Sequence, residues 1–325
     1  MANTVLLRML ADGEYHSGQD LALALGVSRT AVWKQLNRLG ELGLEIDSVK
    51  GRGYRVPGGV DLLCEEAVRA GLRPAAAALL GRLEILDDAD STNAHAMRLL
   101  EQGVGAGLVC TAERQTAGRG RRGRQWVSPY ARNLYLSLVW EFSQGAAALE
   151  GMSLAVGVAV ARALAACDVP AVRLKWPNDI LFDGAKLGGI LLEMAGDAAG
   201  ACQVVVGVGL NVAMPATAAE SIDQAWTDIA TITGGHHPGR NTLLAGLLNE
   251  LLPMVAGVEA QGFRPWREAW QALDAYADTP VVLHTGSHRI AGTARGVDER
   301  GALQLETVTG TQAVYGGEIS LRAAS

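Results

Sequence analysis

Gly118-Arg119-Gly120-Arg121-Arg122-Gly123-Arg124 holds four arginines and three glycines with no acid among them. Arg114 adds a further positive charge just upstream. Unpaired guanidiniums are too costly to desolvate, so this segment cannot bury itself. Its glycines leave the backbone loose. Two readings follow: a solvated basic loop resembling an arginine–glycine tail on nucleic acid, or a cationic lid over an anion. The neighbours favour the lid. Strand-like runs lie on both sides, and Trp126-Val127-Ser128-Pro129 follows directly. A loop as long as 114–130 inside a compact apolar region is commonly functional. An arginine loop anchored at both ends therefore points to a phosphate or carboxylate site.

Outward from the loop, the region 61–277 mixes helices and strands. Leu83–Leu86, Leu108–Thr111 and Asn133–Trp140 read as strands. Lys186–Met194 and Gln203–Val212 are near-continuous apolar runs of the kind found in sheet cores. Ala147–Cys167 reads as a small-residue helix, and Thr242–Ala256 and Pro265–Ala277 as helices on the outer face.

The first 57 residues have another texture. A helix is expected over 4–11, with Val5, Leu6, Met9 and Leu10 on one face. Ser17 caps a second helix, which Gly26 ends, and Ser28 caps a third running to Glu41. Helix, glycine turn, helix is the helix-turn-helix pattern. Ile46–Val56 then reads as a hairpin wing with a Lys50-Gly51-Arg52-Gly53 tip. Between Ser28 and Arg55 six basic residues face three acids, a balance of +3 within a chain of −6. A small basic module is thus joined to an acidic body. A protein-interaction module of three helices is the alternative; the basic helix and wing favour DNA. Ser28, Arg29, Thr30, Lys34, Arg38, Lys50 and Arg52 are the candidate contacts, and Trp33 is expected to be exposed. Residues 278–325 read as short strands with tight turns, a small all-β barrel or sandwich.

The composition, 49% hydrophobic and 19% charged, allows large cores and excludes global disorder. Cys64, Cys110, Cys167 and Cys202 are scattered with no CxxC, which argues against a zinc ribbon or a disulfide framework. All four are expected to be buried and inert, in a reducing cytoplasm. No signal-peptide pattern is present, and no apolar run is expected to reach membrane-span length. There is no P-loop and no GxGxxG following a strand in a βαβ context, and no His/Cys/Glu cluster has metal-ligand spacing.

The remaining polar pieces each have a plain structural reading. Asp90-Ser91-Thr92-Asn93 opens a helix. Gln115 precedes the arginine loop. Lys175-Trp176-Pro177-Asn178-Asp179 is a polar turn before a strand. Gly207 and Gly209 allow either ligand approach or tight sheet packing. Lys186 enters an apolar strand and needs an anionic partner: Asp179, Glu193 or a ligand.

Together and in this order, Ser91-Thr92-Asn93, the Gly118–Trp126 loop, Lys175–Asp179, Lys186-Leu187-Gly188-Gly189-Ile190 and Gly207-Val208-Gly209-Leu210-Asn211 closely resemble the biotin protein ligase family. Gly316–Arg322 resembles that family's C-terminal domain. With the winged helix included, the resemblance extends over essentially the whole chain to the bifunctional biotin ligase and operon repressor. It implies three domains: a winged helix-turn-helix (1–57), a class II aminoacyl-synthetase-like α/β catalytic domain (61–277) and an SH3-like barrel (278–325). It also implies biotinyl-5′-AMP formation from biotin and ATP with Mg²⁺, then transfer of biotin to a lysine of the biotin carboxyl carrier protein of acetyl-CoA carboxylase. A homodimer on biotin-operon DNA is the implied repressor.

By the same resemblance, Ser91, Thr92, Asn93 and Gln115 hold biotin. Gly118, Arg119, Gly120 and Arg121 line the adenylate, with Gly189 beside it. Lys186, with Arg119 and Arg121, stabilises charge. Trp126 stacks on adenine, Asn211 bonds to it, and Arg322 reaches in from the C-terminal domain. Asp179 is the outer-shell partner of Mg²⁺, with no direct protein ligand expected. The sequence departs from the family at Gly188, where alanine is common. The alternatives are a lipoate-type ligase of the same fold, and a biotin-sensing transcription factor without ligase activity. Lys186 beside a full arginine loop argues against the second.

Overall fold

The computed structural model describes residues 4–143, 145, 149–196, 200–285, 288–316 and 319–323. At the N-terminus, α1 (Thr4–Leu10), α2 (Gly18–Leu25) and α3 (Arg29–Glu41) pack around Leu6, Leu7, Leu10, Leu21, Val32, Leu36 and Leu39. The buried face of α1 includes Leu7, whereas Val5 is half exposed, which corrects the face expected from sequence. Both predicted caps form: Ser17 accepts from the Asp20 N–H at 3.1 Å and Ser28 from the Ala31 N–H at 3.2 Å. β1 (Asp47–Val49) and β2 (Gly53–Arg55) make the antiparallel wing.

The central sheet has seven strands: β3 (Arg82–Ala89), β4 (Leu108–Gln115), β5 (Leu134–Phe142), β6 (Arg173–Lys175), β7 (Asp179–Phe182), β8 (Ala185–Gly196) and β9 (Cys202–Leu210). Their order is β3-β4-β5-β9-β8-β7-β6, parallel at β3–β4 and antiparallel elsewhere. Alternation along β5 and β9 sorts the two faces. Leu134, Leu136 and Leu138, with Val204, Val206 and Val208, join the main core. Each such burial contributes roughly 1.5–3 kcal/mol. On the other face of these strands lie Ser137, Gly207 and Gly209, and there the site forms.

Helices α4 (Glu65–Ala70) and α5 (Pro74–Leu79) precede the sheet, α6 (Thr92–Glu101) covers the site face, and α7 (Met152–Ala166) backs the other. The short α8 (Ala216–Ala219) and α9 (Ile229–Ile232) lead to α10 (Arg240–Gln261) and α11 (Arg267–Leu273). By length and composition α10 could span a membrane, contrary to the sequence expectation. Its Leu244, Leu248, Leu251, Leu252 and Val255 are buried in the protein core, so it is more than an outer-face helix. The stretch expected as one helix over 265–277 divides into a 3₁₀ turn, Arg264–Trp266, and α11.

The C-terminal module is a five-stranded antiparallel sheet of β10 (Pro280–Thr285), β11 (His288–Val297), β12 (Leu303–Thr307), β13 (Gly310–Val314) and β14 (Ile319–Ala323). Its order is β13-β12-β11-β10-β14. Cys110 and Cys202 are buried, but Cys64 and Cys167 are partly exposed, so burial does not extend to all four thiols. Cys64 Sγ lies 2.9 Å from Glu66 Oε2.

Candidate active site and nucleic-acid interface

The arginine stretch is a closed hairpin. The Gly120 N–H donates to the Arg124 carbonyl at 2.7 Å, and the Trp126 N–H to the Gly118 carbonyl at 2.9 Å. Its tip is a 3₁₀ turn with Arg122 and Gly123 both at positive φ. This hairpin sits on the glycine-bearing face of β8 and β9. A Cβ on Gly209 would come within 2.6 Å of the Trp126 ring, and one on Gly207 would collide with the Asn93 amide. The two glycines therefore serve the site face, where side chains from the hairpin and α6 occupy the space. Gly118 packs against Trp126, Ser128 and Gln115 within the hairpin base, and does not line the cavity.

Beneath the hairpin is a cavity of about 350 Å³. Of the residues expected to bind biotin or its adenylate, Ser91, Thr92, Asn93, Gln115, Arg119, Gly120, Arg121, Trp126, Lys186 and Gly189 line it. A second cavity of about 250 Å³ adjoins it, bounded by Asn211, Met214, Ile222 and Trp226. Trp126 and Lys186 line both. Asn211 therefore borders the second cavity alone, and its Nδ2 donates to the Thr227 carbonyl at 3.0 Å. Arg322 is on β14 opposite Val282; its side chain lies outside the described residues. Leu321, its neighbour, does line the first cavity, so the C-terminal module contributes a wall.

One end of the cavity is a polar network. Gln115 Oε1 accepts from the Thr92 N–H at 2.8 Å and from its hydroxyl at 3.2 Å. Gln115 Nε2 donates to Ser128 at 3.2 Å. Ser137, on β5, donates to Asn93 Oδ1 at 2.6 Å and lies 2.8 Å from Thr92 Oγ1. Asn93 Nδ2 donates to Glu193 at 2.7 Å. Sequence reasoning missed Ser137, although a lone serine within Leu134–Phe142 was a readable signal. These groups offer paired amide and hydroxyl donors and acceptors, which suit a small heteroatom ring.

The rest is cationic. Arg119, Arg121, Arg122, Arg124, Lys175 and Lys186 line the cavity against Asp179 and Asp223. Lys186 Nζ donates to Asp179 at 2.6 Å, and Lys175 lies 3.8 Å from the same carboxylate. Of the partners considered for Lys186, Asp179 is the one it meets; Glu193 serves Asn93 and Arg119. Arg121 donates to Asn178 Oδ1 at 2.9 Å. Burial pushes the Arg121 guanidinium below the ordinary arginine value, against the attraction of Asp179. Lys186 Nζ lies 5.6 Å from the centre of the Trp126 ring. Converging cations lining one cavity are suited to stabilising charge on a phosphate or carboxylate.

A second surface lies at the N-terminus. Ser28 at the N-cap of α3, Arg29, Thr30, Trp33, Lys34 and Arg38 on it, and Lys50 and Arg52 on the wing, are all exposed. Arg52 and Arg55 stack over Tyr15, at 4.3 and 4.6 Å from its ring centre. A basic helix and wing of this form match the docking geometry of a major-groove reader.

Residues 87–211 match the Biotin/lipoate A/B protein ligase family, residues 3–55 an HTH domain, and residues 280–322 the Biotin protein ligase C terminal domain. The chain is 39% identical to the bifunctional ligase/repressor BirA of Escherichia coli (strain K12), over 99% of this chain and 98% of that one. It is 38% identical to the biotin–[acetyl-CoA-carboxylase] ligase of Paracoccus denitrificans, over 71% of this chain and 96% of the relative. A biotin protein ligase from Aquifex aeolicus, solved in complex with biotin and ATP, superposes with a TM-score of 0.64. That likeness has 30% identity and covers 75% of this chain and 100% of the other.

Proposed function

The chain belongs to the bifunctional biotin ligase/repressor family, and from that premise we propose how its own residues divide the work. It is an ATP-dependent biotin protein ligase and a DNA-binding repressor. Biotin carboxylate attacks the α-phosphate of ATP, giving biotinyl-5′-AMP and pyrophosphate. A lysine amine of a carrier domain then attacks the acyl carbon, forming the amide and releasing AMP.

The carrying observation is the polarity of the cavity: a neutral hydrogen-bonding end at Thr92, Asn93 and Gln115, backed by the buried Ser137, and a cationic end at Arg119, Arg121 and Lys186. Biotin has the same division, with a neutral ureido ring at one end and a carboxylate at the other. The main obstacle in the first step is bringing a carboxylate to a polyanion, so positioning and electrostatics dominate. In this reading Lys186 neutralises charge where carboxylate and α-phosphate meet. Arg119 and Arg121 hold the phosphate with directed donors. Trp126, between the two cavities, supplies a stacking face for adenine, and the second cavity beside Asn211 takes the nucleotide end. Arg322 approaches from the C-terminal module.

Mg²⁺ accompanies the nucleotide. Asp179, engaged by two lysines, would hold the ion only through its outer shell, and the ion would offset charge on the phosphates. The carrier is the biotin carboxyl carrier protein of acetyl-CoA carboxylase, and the compartment the cytoplasm. The winged helix, residues 1–57, reads one DNA half-site. Two copies, paired when loaded with biotinyl-AMP, would read a palindrome in the control region of the biotin synthesis genes.

One incubation tests the catalytic half: protein, ATP, Mg²⁺, biotin and a carrier domain, with mass spectrometry of the carrier lysine. No biotinylation overturns it. Calorimetric titration with biotin and with lipoate separates the two acids; tighter lipoate binding would reassign the substrate. Sedimentation with and without biotin and ATP reads the pairing, and no ligand-dependent dimer would remove it.

A further inference from the structure

Glu84, His95 and Cys110 show no metal-ligand spacing in the sequence, yet the fold brings them to one point. Glu84 on β3 and Cys110 on β4 are direct partners in the parallel ladder, so their side chains leave the sheet on the same face. α6 crosses that face, and His95 reaches from it to within 2.6 Å of Glu84 Oε2. One ligand atom from each of the three lies within 4.8 Å of the other two. None of them lines either ligand cavity. We propose that Glu84, His95 and Cys110 form a binding site for a zinc-class transition-metal ion that staples α6 to the edge of the sheet.

The donor set is one sulfur, one imidazole nitrogen and one carboxylate oxygen. That mixture suits Zn²⁺ and its neighbours and not Mg²⁺, which favours an all-oxygen octahedron. Tetrahedral bonds of about 2.0–2.3 Å place ligand atoms about 3.3–3.8 Å apart. Closing from the observed spacing is an adjustment of side-chain rotamers. Cys110 is fully buried, while Glu84 and His95 keep 17% and 22% of their side chains exposed. The ion therefore enters from the Glu84–His95 side, and water completes the fourth position. On binding, the Cys110 thiol gives its proton to solvent and the sulfur bonds the metal. His95 offers the Nε2 lone pair and carries its ring proton on Nδ1. Arg82 is ion-paired to Glu84 Oε1, which leaves Oε2 for the ion and orients the carboxylate from outside.

A plain histidine–carboxylate hydrogen bond is the alternative, and it makes no use of Cys110. Full-length, tag-free protein, stripped by chelator and free of nucleotide, is titrated with Co²⁺. A near-ultraviolet thiolate-to-cobalt band should saturate at one equivalent and bleach on adding Zn²⁺. Cys110→Ser should abolish the band. His95→Gln and Glu84→Gln should each weaken Co²⁺ binding by more than the roughly 10–100-fold that losing an outer-shell partner costs. Zn²⁺ should also raise the melting temperature of the wild type, as any ligand of the native state does, and leave that of His95→Gln unchanged. A folded wild type without the band overturns the proposal. So does a band that survives in Cys110→Ser, because another thiol would then hold the ion. Should Cys110→Ser fail to fold, His95→Gln decides, since its side chain is partly exposed: unchanged Co²⁺ affinity rejects the site.

Discussion

Two ion pairs in this molecule use the same chemistry for opposite ends. Arg240 and Glu113 are 2% and 3% exposed, and each charged nitrogen and oxygen has a hydrogen-bond partner within the protein. Arg240 donates to Glu113 Oε2 at 2.5 Å, to the Asn133 carbonyl at 3.2 Å and to the Asp61 carbonyl, while Glu113 Oε1 accepts from the Leu63 N–H at 2.7 Å. Burial pushes the Glu113 carboxyl up against the pull of Arg240. Lys186 and Asp179 are 17% exposed, each facing the cavity. The first pair is closed and ties the linker at 61–63 to the head of α10. The second pair lines the cavity. A buried charge thus signals function here only where it lines a cavity.

Removing one partner from each pair tests that contrast. Arg240→Met should destabilise the fold by about 3–5 kcal/mol, because Glu113 is left buried and unpaired. Urea unfolding measures it, and the double change with Glu113→Gln should recover much of the loss. A single variant as stable as wild type would break the comparison. Lys186→Ala should leave the urea midpoint nearly unchanged, since Asp179 keeps Lys175 and solvent. Its adenylation rate, read by pyrophosphate release, should fall by about 10²–10³-fold, or roughly 2.7–4 kcal/mol, the cost of one lost transition-state donor. Near-normal release by the folded variant would remove Lys186 from the chemistry.

A smaller effect sharpens the contrast between the faces of the sheet. Gly209→Ala should push Trp126 off β9 at a cost of about 1–3 kcal/mol in overpacking. ATP affinity should drop while biotin affinity, measured by calorimetry, stays close to wild type. Equal losses for both ligands would show that the two cavities act as one. Smallest is Arg52→Ala on the wing. It should weaken operator binding and lower the slope of log affinity against log salt by about one, for one phosphate contact. An unchanged slope would take Arg52 off the DNA.

Much of this was legible in the chain. The caps at Ser17 and Ser28 are local hydrogen bonds, so sequence alone located α2 and α3. The strand expected over Asn133–Trp140 stands as β5 (Leu134–Phe142), because β-branched and aromatic content is a local signal. What stayed hidden depends on contacts between distant segments. Nothing near Asn211 says that its amide turns to Thr227. Nothing near Tyr130 says that it and Ala131 join the core of the N-terminal helices. Glu84, His95 and Cys110 meet only because β3 and β4 pair in parallel beneath α6. Val5 and Leu7 were assigned the wrong way round because a helix of 7 residues has too few turns to fix its phase from hydrophobicity. The helix expected over 242–256 runs on to Gln261 as α10, with Pro253 inside it, and nothing local says that it is buried in the core.

The packing of Tyr130 and Ala131 among the N-terminal helices also sets an order of maturation on the ribosome. Domains generally fold as units as the chain emerges, but the first 57 residues here lack two buried members of their own core until residue 131 has left the exit tunnel. The ligand cavity waits longer, because β5 needs β9 and one wall needs Leu321 on the last strand. A nascent chain halted between those points would carry a DNA-reading module blind to biotin. The ligand cavity is thus completed after the N-terminal module.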